Sequence, residues 1–125
     1  MEKEEKEYIK QKFATWLRNT LKDKKKIAVN NKSLGIEDMN LIDSMRQLEA
    51  ASGLSYTIIQ GSSTGKRDIQ FTTLMILLDS LKISFREFAS QYEEITDEEI
   101  QKKMREIKAN KKPVVKRSKN KSAKK

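Results

Sequence analysis

Side chains that can hydrogen-bond to a base or pair with a phosphate are concentrated between residues 55 and 67. They comprise three hydroxyls, one amide and two cations: Ser55, Tyr56, Thr57, Gln60, Lys66 and Arg67. A glutamine amide presents a donor beside an acceptor, which matches the major-groove edge of adenine, and a threonine methyl can contact thymine. Lysine and arginine pair with phosphate oxygens. The chemistry predicted for this segment is non-covalent recognition.

The composition excludes several kinds of catalytic site. The sequence contains no cysteine and no histidine. Disulfides, thiol nucleophiles, zinc sites of the Cys/His kind and imidazole acid–base chemistry are therefore excluded. A site made only of carboxylates is not excluded, but no pair of carboxylates stands out. We expect a protein that is not an enzyme and that needs no cofactor.

The net charge of +9 is confined to the C-terminal end of the 125-residue chain. Nine basic and no acidic residues lie between Lys108 and Lys125, whereas residues 1–107 contain 18 of each sign. A basic segment of this kind favours nucleic acid first and an anionic membrane second. The alternative interpretation is a solvated end that contributes only solubility.

Apolar residues near the N-terminus repeat with helical spacing and predict a first helix over about residues 4–22. They are Ile9, Phe13, Trp16, Leu17 and Leu21. Acidic residues in its first turns and lysines at its end suit the helix dipole. We interpret the whole stripe as a core face rather than as a platform for stacking bases. Residues 27–42 contain turn-forming residues, and a loop or a short irregular helix is predicted there.

Caps and glycines after residue 42 predict three helices. Asp43 is the predicted N-cap of a helix that ends before Gly53. Ser55 caps the next helix, and Gly65 ends it. The third of these helices is strongly apolar and stops near Lys82. Its predicted buried positions are Phe71, Leu74, Leu77, Leu78 and Leu81, widened by Met75 and Ile76.

Two capping-box patterns, at residues 84–87 and 96–99, predict two more helices. The first has its apolar positions at Phe85, Phe88, Ala89 and Tyr92. The second covers residues 96–110, and its narrow stripe of Ile100, Met104 and Ile107 either packs on the domain or forms a dimer seam. The lysine-rich residues 111–125 are predicted to be disordered.

Two short helices joined by a glycine turn are typical of proteins that place the second helix in the major groove of DNA. In that arrangement Leu48 and Leu54 hold the turn, and Ile59 anchors the second helix. The outer face of residues 55–61 then meets the bases, while the N–H groups at the helix start meet a phosphate.

Three segments together carry a resemblance to a known family. They are Met45 to Gln60 with its Gly53-Leu54-Ser55 turn, Gly65-Lys66-Arg67, and the Leu-x-Ile-Ser-Phe-x-x-Phe run from Leu81 to Phe88. In these residues the chain resembles the lambda-repressor-like (Cro/repressor, Xre) helix-turn-helix family. The resemblance covers about a third of the chain, or over half when the first helix is included.

The chain departs from the family pattern within the two short helices. Glu49 replaces a small alanine, Ser62 replaces a core isoleucine or leucine, and Ser63 replaces a glutamate. Gly61 lies inside the second helix, where glycine costs about 0.5–1 kcal/mol relative to alanine. The connection over residues 23–42 is also longer than the family's short loop.

The run from Gly61 to Lys66 invites comparison with a phosphate-binding loop, but it does not fit. That motif has four residues between its glycines and Ser or Thr after the lysine. Here three residues separate Gly61 from Gly65, and Arg67 follows the lysine. No apolar strand leads into the segment, so nucleotide binding is not expected.

The expected fold is all-α, with five helices around one core and a sixth behind it. A helix-turn-helix domain is expected over residues 1–95 with its core at 43–92, followed by the helix at 96–110 and the tail at 111–125. No apolar run approaches the roughly 20 residues that a membrane span needs. We expect a cytoplasmic protein without a membrane partner.

The expected function is sequence-specific binding of double-stranded DNA by a transcriptional regulator of the repressor type, acting as a homodimer. The expected DNA contacts are Ser55, Tyr56, Thr57, Gln60, Gly61, Lys66, Arg67 and Arg46. Two alternatives concern single residues: Tyr56 as a core aromatic, and Arg46 as an ordinary surface charge. Two others concern the whole chain: an antitoxin-like protein that wraps a partner protein, and a non-specific nucleic-acid binder that uses the basic tail.

Overall fold

The computed structural model describes residues 3–37 and 41–109, and all of their regular structure is helical. Helix α1 spans Lys3–Ser33, α2 Met45–Ser52, α3 Tyr56–Thr64, α4 Phe71–Leu81 and α5 Phe85–Glu94, and α6 covers residues 97–109. The all-α prediction is confirmed for this part of the chain. The predicted disordered tail, residues 111–125, lies outside the described residues. None of the six helices, as far as they are described, is long and apolar enough to cross a bilayer.

Helix α1 is longer than predicted. Its 31 residues correspond to about 46 Å of helix, and the prediction that helix would give way to a loop or a short irregular helix near residue 27 was wrong. Asn30 and Asn31 are common in turns, but each costs a helix only a few tenths of a kcal/mol, about 0.7 at most. The first residue with the left-handed backbone that ends a helix is Gly35, with φ of 73°.

One hydrophobic core joins all six helices. Its buried members are Phe13, Trp16, Leu17, Leu21, Ile42, Leu48, Ile59, Leu77, Leu78, Leu81, Phe88, Ile95 and Ile100. Trp16 is almost fully buried, with its ring edge-on to Phe88 at a centroid distance of 4.8 Å. The indole N–H of Trp16 donates to Gln91 Oε1 at 2.9 Å. The prediction that Phe13 and Trp16 are core residues is confirmed.

Helix α6 packs its apolar stripe on this core. Ile100 is fully buried, and Met104 packs against the cluster. Thr96 begins the helix, since its hydroxyl accepts a hydrogen bond from the N–H of Glu99 at 3.2 Å. Of the two interpretations of the stripe, packing on the domain is the one observed.

Several residues predicted on buried faces are exposed to solvent. They are Ile9 (44% exposed), Phe71 (66%), Met75 (38%), Ile76 (41%) and Phe85 (49%). Among the described residues, the main packing partners of α4 are α2 and α5. An apolar face that is wider than its neighbours can cover leaves its edge in water, which the spacing of the sequence does not reveal.

The predicted caps are correct with one shift. Ser55 and Ser84 cap α3 and α5, and Ser84 forms the complete capping box with Glu87. Helix α2 is capped by Ser44 rather than by Asp43. The Ser44 hydroxyl accepts a hydrogen bond from the N–H of Gln47 at 3.2 Å, and the Gln47 side chain accepts one from the N–H of Asp43 at 2.7 Å.

Polar side chains of α1 hold the C-terminal end of α3. The guanidinium of Arg18 donates to the carbonyl of Ser63, and Gln11 Nε2 donates to the carbonyl of Thr64 at 3.1 Å. Burial lowers the pKa of Arg18, while Glu99 and Glu106 act in the opposite direction. These bonds satisfy carbonyls that have no partner within their own helix.

Small residues at the end of α3 allow α1 to approach this closely. Ser62 and Ser63 are 1% and 4% exposed. Their hydroxyls donate back to the carbonyls of Ile58 at 2.8 Å and Gln60 at 2.9 Å, so neither is left unpaired. The two serines are therefore small enough for the close contact with α1, and their buried hydroxyls are satisfied by hydrogen bonds within α3.

Alanine substitutions at two glycines test the contact between α1 and α3. Gly53→Ala should lower the free energy of unfolding by about 1–2 kcal/mol, the cost of a left-handed alanine, because Gly53 has φ of 78° with open space around it. Gly65→Ala should cost about 1 kcal/mol more, because the added methyl would lie 2.6 Å from Gln11 Cδ and break the bond to Thr64. Urea titrations followed by Trp16 fluorescence measure both values. Equal losses in the two variants would contradict the Gln11 contact.

Candidate nucleic-acid interface

Helices α2 and α3 meet across the turn formed by Gly53, Leu54 and Ser55. Gly53 has φ of 78°, and its N–H donates to the carbonyl of Glu49 at 3.0 Å. Leu48 and Ile59 are fully buried on the inner side of the two helices, and Leu54 packs against the core. The predicted apolar anchors of the turn are therefore confirmed. We call this part of the molecule the α2–turn–α3 unit.

The outer side of α3 is polar, as its spacing predicts. Thr57 and Gln60 are exposed, and Tyr56 is half-buried. Ser55 is exposed, and its hydroxyl accepts a hydrogen bond from the N–H of Ile58 at 3.2 Å. The hydroxyl of Ser55 thus acts as the helix cap at the edge of this face.

Tyr56 is neither a core aromatic nor a free side chain. The guanidinium carbon of Arg46 lies 3.8 Å from the centroid of its ring. Nη1 of Arg46 also lies 3.3 Å from Glu49 Oε1. A cation–π contact at an exposed site is worth about 0.5–1 kcal/mol. The three side chains form one cluster, the Arg46–Glu49–Tyr56 cluster, at the junction of α2 and α3.

Gly61 sets the position of Arg67. Gly61 lies inside α3, and its carbonyl accepts hydrogen bonds from the N–H groups of Lys66 and Arg67 at 3.0 and 3.1 Å. A Cβ at residue 61 would lie 2.7 Å from Cγ of Arg67, so the arginine side chain crosses the helix where the glycine leaves room. Lys66 and Arg67 are exposed. The glycine therefore lets a cation lie beside the outer face of α3.

The structure brings the sequence-predicted residues into two groups. Arg46 and Tyr56 are in contact at one end of α3, and Gly61, Lys66 and Arg67 are in contact at the other. The segment that invited comparison with a phosphate loop is helical through residue 64. Within residues 3–37 and 41–109, no group of three or more acidic side chains is placed to hold a metal ion.

Sequence reasoning missed the residues of α1 that hold α3 in place. Gln11, Thr15 and Arg18 are spaced i, i+4 and i+7, a polar stripe on a helix whose adjacent stripe is apolar. Gln11 and Thr15 are buried, and Thr15 Oγ1 accepts a hydrogen bond from Arg18 at 3.1 Å. The spacing of this polar stripe was the signal in the sequence that could have identified these residues. The ion pair of Glu49 with Arg46 was also predictable, because residues i and i+3 are neighbours on a helix.

Comparisons of the chain with protein-family models, with curated proteins and with solved structures found no match in any of the three. The functional interpretation of the α2–turn–α3 unit therefore depends on its own residues and their geometry.

Proposed function

We propose that the protein binds duplex DNA with α3 as a recognition helix in the major groove, as the helix-turn-helix resemblance implies. One observation carries this proposal. The exposed side chains of Thr57 and Gln60 lie on a short helix whose other side is anchored to α1 and α2, with exposed cations at both of its ends. A helix fixed on one side and polar on the other is suited to groove reading.

The side chains of α3 have separate roles in this proposal. The amide of Gln60 reads an adenine, and the methyl of Thr57 contacts a thymine. Ser55 and the N–H groups at the start of the helix approach a phosphate. A good bidentate pair discriminates against a wrong base by about 1–3 kcal/mol. Gly61 contributes by leaving room for Arg67.

The cations supply affinity that does not depend on sequence. Arg46, Lys66 and Arg67 pair with phosphates, and the basic residues beyond residue 107 add further salt-dependent affinity. In this proposal the protein acts as a homodimeric transcriptional regulator of the repressor type. Its half-sites lie about one helical turn apart, roughly 34–36 Å.

Selection from a random duplex library at physiological salt tests the proposal with the full chain. We expect an enriched motif, because Gln60 and Thr57 read bases directly. Gln60→Ala and Thr57→Ala should each weaken binding to that motif by about 1–3 kcal/mol, as measured by fluorescence anisotropy. Lys82→Ala removes an exposed residue at the far end of α4 and serves as the control. Failure to enrich any motif would contradict sequence-specific binding and would favour the alternative of a non-specific binder.

The Arg46–Glu49–Tyr56 cluster leads to a second prediction. Glu49 partly neutralises Arg46 at a surface that approaches phosphates, so Glu49→Gln should tighten DNA binding. The gain should be about 0.5–1 kcal/mol, or about two- to fivefold in Kd, for one charge a few ångströms from phosphate in water. Glu93→Gln makes the same change of charge on the exposed side of α5. Equal gains in the two variants would show a general charge effect rather than a role for the cluster.

A second candidate function, an antitoxin-like interaction protein, is favoured by the distal end of α1 and the residues after it. Large apolar side chains there are exposed: Ile27 (48%), Val29 (66%), Leu34 (64%) and Ile36 (50%). Exposed apolar surface of this kind marks sites of protein association. In the DNA-binding proposal a second copy of the chain covers it, and in the second candidate another protein does.

Light scattering on the full chain distinguishes these occupants. For a homodimer through distal α1, the mass should be twice that of the monomer, and Val29→Asp should halve it because a charge would be buried at the interface. Phe71→Asp is the matched control on another exposed apolar residue. A monomeric wild-type chain would contradict self-association through this surface and would favour the interaction-protein candidate.

A further inference from the structure

A cleft lies between α1, the end of α3 and α6, and Lys66, one of the proposed phosphate contacts, is part of its lining. Its volume is about 580 Å³, within the range of about 300–1,000 Å³ that small-molecule sites occupy. Leu21, Met45 and Ile107 form its apolar wall, and Gln11, Arg18 and Lys103 supply polar groups. These six residues define what we call the α1/α6 cleft. The cleft also reaches the backbone of Ser63, Thr64 and Gly65.

The cleft contains a buried acceptor that has no hydrogen-bond partner among the described residues. Gln11 is 6% exposed, and its Nε2 donates to the carbonyl of Thr64. Its Oε1 is buried and accepts no hydrogen bond within residues 3–37 and 41–109. Leaving a buried polar atom unpaired costs about 1–3 kcal/mol. A ligand that donates an O–H or N–H to this oxygen would recover that cost.

Among the residues that line the cleft, cations outnumber acidic residues. Arg18, Lys66 and Lys103 line it as cations, and Glu7 is the acidic residue among its lining residues. Outside the lining, Glu106 Oε1 lies 4.0 Å from Lys103 Nζ. Glu7 Oε2 lies 3.1 Å from Lys10 Nζ as an ion pair, although, like Gln11 Oε1, it accepts no hydrogen bond from the described residues. Arg18 uses two N–H groups on Ser63 and Thr15, and a guanidinium has five N–H groups. Further donors of Arg18 are therefore available to a carboxylate.

We propose that the α1/α6 cleft binds a small carboxylic acid that has an apolar chain and a hydroxyl or amide N–H. The carboxylate pairs with Arg18 and Lys103, and the hydroxyl or amide donates to Gln11 Oε1. The chain packs on Leu21, Met45 and Ile107. Each group of the ligand matches one feature of the cleft. The carboxylate matches its cations, the hydroxyl or amide matches its unpaired acceptor, and the chain matches its apolar wall.

A ligand in the cleft would contact the side chains of α1 that hold α3. Gln11 and Arg18 hold the carbonyls of Thr64 and Ser63, so a ligand that binds these two side chains acts on the contact that positions α3. An effect on DNA binding rests on the proposed function. Binding of the ligand in the cleft does not depend on the proposed function, so it is measured without DNA.

Isothermal titration of the full chain with 3-hydroxydecanoate tests the proposal. We expect saturable binding of one ligand per chain. Decanoate lacks the hydroxyl, and 1-decanol lacks the charge, so each should bind about tenfold more weakly, which corresponds to one lost hydrogen bond or ionic contact. Equal affinity for all three compounds would overturn the assigned polar contacts and would indicate general binding of amphiphiles.

Two matched pairs of variants locate the site. Lys103→Ala should weaken binding of 3-hydroxydecanoate about tenfold, whereas Lys102→Ala, its exposed neighbour outside the cleft, should leave Kd unchanged. Ile107→Trp should abolish binding by filling the cleft, whereas Ile36→Trp enlarges an exposed apolar residue elsewhere. Absence of saturable binding to the wild-type chain, or equal loss in both members of each pair, would overturn the proposal. Failure of the DNA selection would leave this result unaffected.

Discussion

The hydrogen bonds from α1 to the last carbonyls of α3 are the constraint on which the rest of the structure depends. The carbonyls of Ser63 and Thr64 have no partner within α3, and Arg18 and Gln11 supply the missing donors. A guanidinium at a helix C-terminus also faces the negative end of the helix dipole. The contact requires α1 to lie close to α3. Bulky residues at the end of α3 are therefore excluded, and serine and glycine occupy those positions.

This close approach explains why α3 is built from residues that are poor for a free-standing helix. Gly61, Ser62 and Ser63 have low helical propensity, and a nine-residue helix is marginal by itself in water. Anchoring to α1 and α2 provides the stability that the local sequence lacks. The outer face of α3 is then free to carry polar side chains, because none of them is needed for packing.

Three different surfaces surround the single core. The α2–turn–α3 unit presents hydrogen-bonding groups and cations, distal α1 presents apolar side chains, and the α1/α6 cleft combines an apolar wall with an unpaired acceptor. The cleft and the α2–turn–α3 unit share α3, and Gln11 and Arg18, which line the cleft, donate to the last carbonyls of that helix. Distal α1 lies beyond the core on the same long helix. Because both belong to one continuous helix, the apolar surface has a fixed position relative to the residues of α1 that hold α3.

The sequence by itself determined the helical content, most of the core and the position of the turn. These depend on local rules: the helical period places Phe13, Trp16 and Leu17 on one face, and Ser55, Gly53 and Gly65 mark ends through their own backbone preferences. The polar character of the outer face of residues 55–60 was also predictable, since it follows from the same period. The length of α1 was not, because a helix continues through asparagine when no strong breaker intervenes.

Only the tertiary structure decided which apolar residues are covered and which polar residues meet. The exposure of Phe71 and Phe85 depends on how α4 and α5 pack, and the contact of Arg46 with Tyr56 depends on the angle across the turn. Gln11 and Thr64 are 53 positions apart in the chain. The helical spacing of Gln11, Thr15 and Arg18 marks a polar stripe, but the carbonyls that this stripe meets are set by the packing of whole helices rather than by neighbouring residues.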